Sequence, residues 1–301
     1  MKKYFPDQLP KKFKQNVLDL CGDEGKEWLT HLPATIEELE DAWGIKAGRY
    51  FPNLSYNYVA SCTMRDGQPA VLKIAPPLRE PEIFNEAKAL QIFKKRGAAE
   101  VLRIDRRYRA ILVERLIPGK HLLEIYQSEP QKAVEIAISV MKRLYRNSPP
   151  QDEFTTVDHW LYKLEKAEQS DFLAVILREA RELFEELNSD KSKVRFLHGD
   201  LHHENILTDG NGDFAVIDPS GINGNIGYEI GLFLRVHARV FVDDKQIVDA
   251  VEMFSDSFGI SFRDVANWAF VQNVLSAAWD FEDNGKNWRE EIERAKKWKR
   301  I

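Results

Sequence analysis

Residues 196–221, FLHGDLHHENILTDGNGDFAVIDPSG, carry the pattern on which the reading of this chain turns. Ile206-Leu207 and residues 214–217 read as two short strands. The link between them, residues 208–213, is rich in Asp, Asn and Gly, the chemistry of a hairpin turn. A hairpin sets its two ends side by side. The loop before it, with Asp200 and Asn205, therefore comes next to the residue that follows it, Asp218. Phosphoryl transfer needs that grouping. One carboxylate orients an attacking hydroxyl and takes its proton, while a second carboxylate and an amide oxygen hold Mg2+ on the phosphates of ATP. Any one of these residues alone is more simply a turn cap. The three in this order argue for a site.

Upstream, residues 56–62 alternate as a strand, Arg65-Asp66-Gly67-Gln68 makes a turn, and residues 70–75 (AVLKIA) form the returning strand. Residues 80–95 follow as a helix, with Ile83, Ala87, Leu90 and Phe93 at three- and four-residue spacing. Lys73 lies in the second strand and Glu86 in this helix. A lysine in an apolar strand calls for anionic partners, because burying its charge alone is costly. The α- and β-phosphates of ATP and the Glu86 carboxylate would serve. Residues 101–104 and 110–116 read as further strands, and Pro118-Gly119 breaks the chain. Beyond it the pattern is mostly helical: residues 131–147, 157–168 and 172–187, then an apolar run at 265–279 that reads as a buried helix. At the other end, Thr35 is a plausible helix cap before Ile36-Glu37-Glu38.

HGDLHHENIL followed by VIDPSG resembles the catalytic segment of the aminoglycoside phosphotransferase superfamily, relatives of the protein kinases. The resemblance implies an α+β, two-lobed protein-kinase-like fold. Residues 1–117 would form a small β-rich nucleotide-binding lobe, its first 47 residues a helical extension, and residues 118–301 a larger helical lobe for catalysis and substrate. It places Asp200 as the catalytic aspartate, and Asn205 and Asp218 as ligands of Mg2+. Pro219 and Ser220 stand where protein kinases have Phe-Gly. His198 becomes a scaffold residue. Residues 113–119, VERLIPG, resemble the hinge between lobes, where the carbonyl of Glu114 and the amide of Leu116 would bind the adenine edge. Ser55 and neighbouring amides would cover the phosphates in a loop with no glycine between Arg49 and Met64. SYNYVASCTMRDGQPAVLKIAPP and LVERLIPG are similar to the aminoglycoside/hydroxyurea kinases, the branch that includes streptomycin 6-phosphotransferases. Many relatives carry a lysine at the position of Ser220 and an aspartate near Glu229, so here Glu229 is expected to buttress the catalytic loop.

The bulk figures fit an ordinary soluble globular protein: 301 residues, 44% hydrophobic and 30% charged. A net charge of -5 disfavours nucleic acid as a partner. Two cysteines make no disulfide framework, and the basic N-terminus has no apolar stretch behind it, so a cytoplasmic location is expected. No membrane span and no obligate protein partner is implied; the partner is a small molecule. Asp280 and Asp283, three apart at the end of the last apolar helix, are candidates for binding a cationic substrate, with Trp279 as a ligand platform or a core residue. Two rival readings are a metallohydrolase built on His198, Asp200, His202 and His203, and a nucleotide-binding module without activity. The other histidines, His31, His121, His159 and His237, are scattered singly along the chain.

Overall fold

A computed structural model describes residues 9–78, 82–146, 148–160, 174–241, 243–282 and 287–301. Two compact units divide at Gly119.

The first unit opens with helix α1, Lys11–Trp43, which breaks at Gly22 (φ 56, ψ -130) and contains Pro33. Thr35 lies inside this helix, so the expected cap there is absent. The turn that it would have begun is continuous with the one before it. Five antiparallel strands follow in the spatial order β1-β2-β3-β5-β4: β1 Ile45–Tyr50, β2 Tyr58–Met64, β3 Pro69–Ile74, β4 Val101–Asp105 and β5 Ala110–Glu114. β1 was not legible as a strand, because IKAGRY has only a short, polar-rich alternation. Helix α2, Ile83–Ile92, sits between β3 and β4 in sequence and buries Ile83, Ala87 and Leu90 against Ile111 and Val113 of β5. Leu54, in the loop between β1 and β2, is buried in the core shared by α1 and the sheet.

The second unit begins with helices α3, Leu122–Tyr126, and α4, Pro130–Tyr145, and continues with α5, Ala174–Leu187. Of the helix expected over residues 157–168, residues Val157–Trp160 form a single 3-10 turn and the rest lies outside the described residues. Two small antiparallel pairs come next. β6, Val194–Leu197, pairs with β9, Ile222–Asn225, and β7, Ile206–Thr208, with β8, Phe214–Val216. Helices α6, Ile226–Val240, α7, Asp244–Phe258, α8, Phe262–Glu282, and α9, Trp288–Trp298, complete the chain. The expected buried helix is α8, which buries residues all round its circumference, Trp268 and Phe270 among them. No helix among the described residues is long and apolar enough to cross a membrane.

Candidate active site

In the first unit, Lys73 is an inward position of β3. Its Nζ donates to Glu86 Oε1 of α2 at 2.6 Å, with both residues buried. The pair obeys the rule that a sealed charge needs an opposite one. Glu114 ends β5, where its side chain accepts from the Glu100 amide at 3.1 Å. Leu116 follows two residues later and is largely buried. Ser55 is exposed in the β1–β2 loop, and its carbonyl accepts from the Asn16 side chain at 3.0 Å, tying the loop to α1.

In the second unit, the loop His198–Asn205 runs from β6 into β7. The hairpin β7–β8 performs the expected juxtaposition: the Ile217 amide donates to the Asn205 carbonyl at 3.1 Å, bringing Asp218 beside Asn205. Asn205 Nδ2 donates to the Asp200 carbonyl at 2.8 Å. Because a carbonyl only accepts, this bond fixes the amide's orientation and turns Oδ1, the atom that could ligate a metal, away from that carbonyl. Asp218 is exposed and held at φ 59, a left-handed conformation that few non-glycine residues adopt. A hard-oxygen pair of amide and carboxylate suits Mg2+, which takes one or two protein carboxylates and completes its shell from water and phosphate.

His198 laces the two strands of chain together. Its Nδ1 accepts from the Asp200 amide at 3.3 Å, its Nε2 donates to the Ile217 carbonyl at 2.9 Å, and its own carbonyl accepts from Gly221 at 2.9 Å. Burial holds its pKa down, to about 4, so it stays neutral in this role. Gly199 stands at φ 86, and a Cβ there would come within 3.1 Å of Ile222 and 3.3 Å of Ser220. Only glycine fits that turn.

Beneath the loop lies Glu229, in the first turn of α6 and fully buried. It accepts from the Gly199 amide at 2.9 Å, the Leu201 amide at 3.0 Å and the Tyr145 hydroxyl at 2.9 Å. Three donors favour its ionised form, but burial is stronger and raises the carboxyl above its ordinary range. Glu229 thus grips the backbone on both sides of Asp200, the buttress expected of it. Asp200 itself keeps its side chain 48% exposed, with His202 Nε2 3.7 Å from Oδ2.

Tyr145 was missed in the sequence, where it is one apolar-helix residue among many, more than fifty positions before the loop. No local signal marks it. The histidine reading also changes. His237 is not isolated: its Nδ1 lies 3.1 Å from Nε2 of His203, both buried and stacked with Phe233. Among the described residues no three His, Cys, Asp or Glu side chains gather as a metal cage. Asp280 has a structural job, since its Oδ2 accepts from the amides of Asn287 and Trp288 at 2.7 Å each and caps α9. Trp279 packs edge-on against Trp160 at 5.2 Å. Asp283 lies outside the described residues.

Residues 53–285 match the family model described as aminoglycoside/hydroxyurea antibiotic resistance kinase. Streptomycin 6-kinase of Streptomyces glaucescens is 24% identical over 92% of this chain and 92% of its own. Hydroxyurea phosphotransferase of Kitasatospora aureofaciens is 23% identical over 92% of this chain and 81% of its own. A choline kinase of Streptococcus pneumoniae, 14% identical, superposes with a TM-score of 0.62 over 89% of this chain and 98% of that one, and it has also been solved with AMP. That likeness shows the protein-kinase-like fold. The chain belongs to the aminoglycoside/hydroxyurea antibiotic resistance kinase family and is a small-molecule phosphotransferase.

Proposed function

We propose that this chain moves the γ-phosphoryl group of ATP, with Mg2+, to a hydroxyl of a small molecule, of which streptomycin-type aminoglycosides and hydroxyurea are the first to try. The observation that carries this reading is the fastening of the Asp200 loop. Glu229 fixes its backbone on both sides, and the Ile217–Asn205 hydrogen bond delivers Asp218 beside Asn205. Lys73, steadied by Glu86, neutralises the α- and β-phosphates, and the Glu114 carbonyl and Leu116 amide take the adenine edge. Asn205 and Asp218 hold the metal, which when bound draws charge from the phosphate oxygens. Asp200 orients the acceptor hydroxyl and takes its proton. The acceptor oxygen then bonds to the γ-phosphorus as the bond to the β-phosphate oxygen breaks, and ADP leaves. The names of the relatives support the acceptor choice; another small metabolite alcohol is the alternative. An ADP-release screen over streptomycin, other aminoglycosides, hydroxyurea and small alcohols, with and without Mg2+, tests it. Metal-dependent turnover on one of them is the expected result. Metal-independent hydrolysis with no phosphorylated acceptor would defeat the reading.

A further inference from the structure

Tyr228 and Arg235 are seven apart on α6 and so share the face that meets α8. Gln272 of α8 donates to the Tyr228 carbonyl at 3.0 Å, and Arg235 Nη1 donates to Ser276 Oγ, one turn further along α8, also at 3.0 Å. That hydroxyl is the one hydrogen-bond partner of the Arg235 guanidinium among the described residues, and no carboxylate there lies within ion-pair distance. Its Nε is sealed from water with no acceptor at all. A guanidinium carries five N–H donors, so this one has donors to spare for a ligand.

The neighbourhood makes that shortage informative. Arg239, one turn on, also reaches Ser276 at 3.5 Å, yet it has its own counter-ion in Glu291 at 2.5 Å. Glu291 is taken up further by Arg294 and Asn273. Arg235 is left as the uncompensated cation of the cluster, only partly exposed, on the same helix as Glu229, which six residues earlier holds the backbone on both sides of Asp200. Burial and the nearby charge of Arg239 both lower its pKa, while Glu291 and Asp200 partly offset them. An arginine in this state favours a planar oxygen acceptor and repels ammonium or guanidinium groups.

The geometry points to Arg235, with Ser276, as the residue that recognises the phosphoryl acceptor, by taking a carbonyl or carboxylate oxygen near the hydroxyl held by Asp200. This rests on the phosphotransfer reading above and narrows its substrate class to small hydroxy or N-hydroxy compounds bearing such an oxygen. In the step itself the acceptor O–H loses its proton to Asp200, its oxygen bonds to the γ-phosphorus, and ADP departs. The carbonyl stays unchanged on Arg235.

Steady-state kinetics with hydroxyurea, small α-hydroxy acids and streptomycin test the assignment in wild type, Arg235→Met, Arg235→Lys and Ser276→Ala. The expected result is turnover of a carbonyl-bearing acceptor. Its KM should rise roughly ten- to hundredfold in Arg235→Met and less in Arg235→Lys and Ser276→Ala, while KM for Mg-ATP is unchanged. In the wild-type chain, urea and acetate, which carry the oxygen but no hydroxyl, should compete with the acceptor and not with ATP. That arm needs no variant to fold. Streptomycin as the preferred acceptor, with its KM unmoved by Arg235→Met, overturns the assignment while leaving phosphotransfer standing. So does the failure of urea and acetate to compete. Absence of Asp200-dependent transfer to every acceptor overturns both.

Discussion

Asp200 is held by its backbone and left open at its carboxylate, so its proposed chemistry can be tested apart from folding at a single residue. Asp200→Ala should cut turnover by about 10²–10⁴-fold, the usual weight of a positioned base, with Mg-ATP affinity intact by calorimetry. Full turnover would remove Asp200 from the mechanism. Asp218→Ala should act differently, weakening nucleotide binding only when Mg2+ is present; titrations of ATP with and without the metal separate the two. Around them, Glu229 braces the loop as expected, and Tyr145 joins it in work that no motif announced. Asp200, Asn205 and Asp218 lie within nineteen consecutive positions, so their grouping is legible from turn chemistry alone. Tyr145 meets Glu229 across more than eighty positions, and nothing near either residue encodes the meeting.

Helices α6 and α8 show how an element positions a site without touching the chemistry. A Cβ on Gly227 would fall 2.1 Å from Trp268 Nε1, and one on Gly231 would fall 2.6 Å from the Trp268 backbone. The two glycines, one turn apart, let the helices close on each other, and that close approach brings Ser276 to Arg235. Side chain can swing aside; backbone cannot. Gly231→Ala should therefore destabilise the fold by about 1–3 kcal/mol, the usual cost of overpacking, read as a lower denaturant midpoint with an unchanged slope. At the sequence level α8 was legible as a buried helix from its length and lack of charge. Its capping by Asp280 was not, because the amides that Asp280 receives belong to the next helix.

For the molecule as a whole, stability should follow pH and ligand in calculable directions. Burial holds His198 and His237 near 4, against about 6.5 in an unfolded chain. Between those values the unfolded chain binds protons that the folded one refuses, so stability falls as pH drops from about 6.5 toward 4. Melting temperature should decline across that range, and His237→Gln should flatten the decline. A ligand that binds only the folded chain adds stability, about 2.7 kcal/mol at a hundredfold excess over Kd. Mg-ATP should thus raise the melting temperature of wild type, and Asp218→Ala should lose most of the gain. The sequence by itself determined the family, the order of strands and helices around Lys73, and the grouping of Asp200, Asn205 and Asp218. Each of these depends on contacts between near neighbours, or on one hairpin, and local chemistry encodes such contacts. Tertiary structure alone decided that Tyr145 joins Glu229 beneath the loop, that Asp280 caps a helix, that His203 and His237 pair, and that Arg235 has no counter-ion among the described residues. Those outcomes depend on which helix faces pack together, and packing is a property of the folded chain.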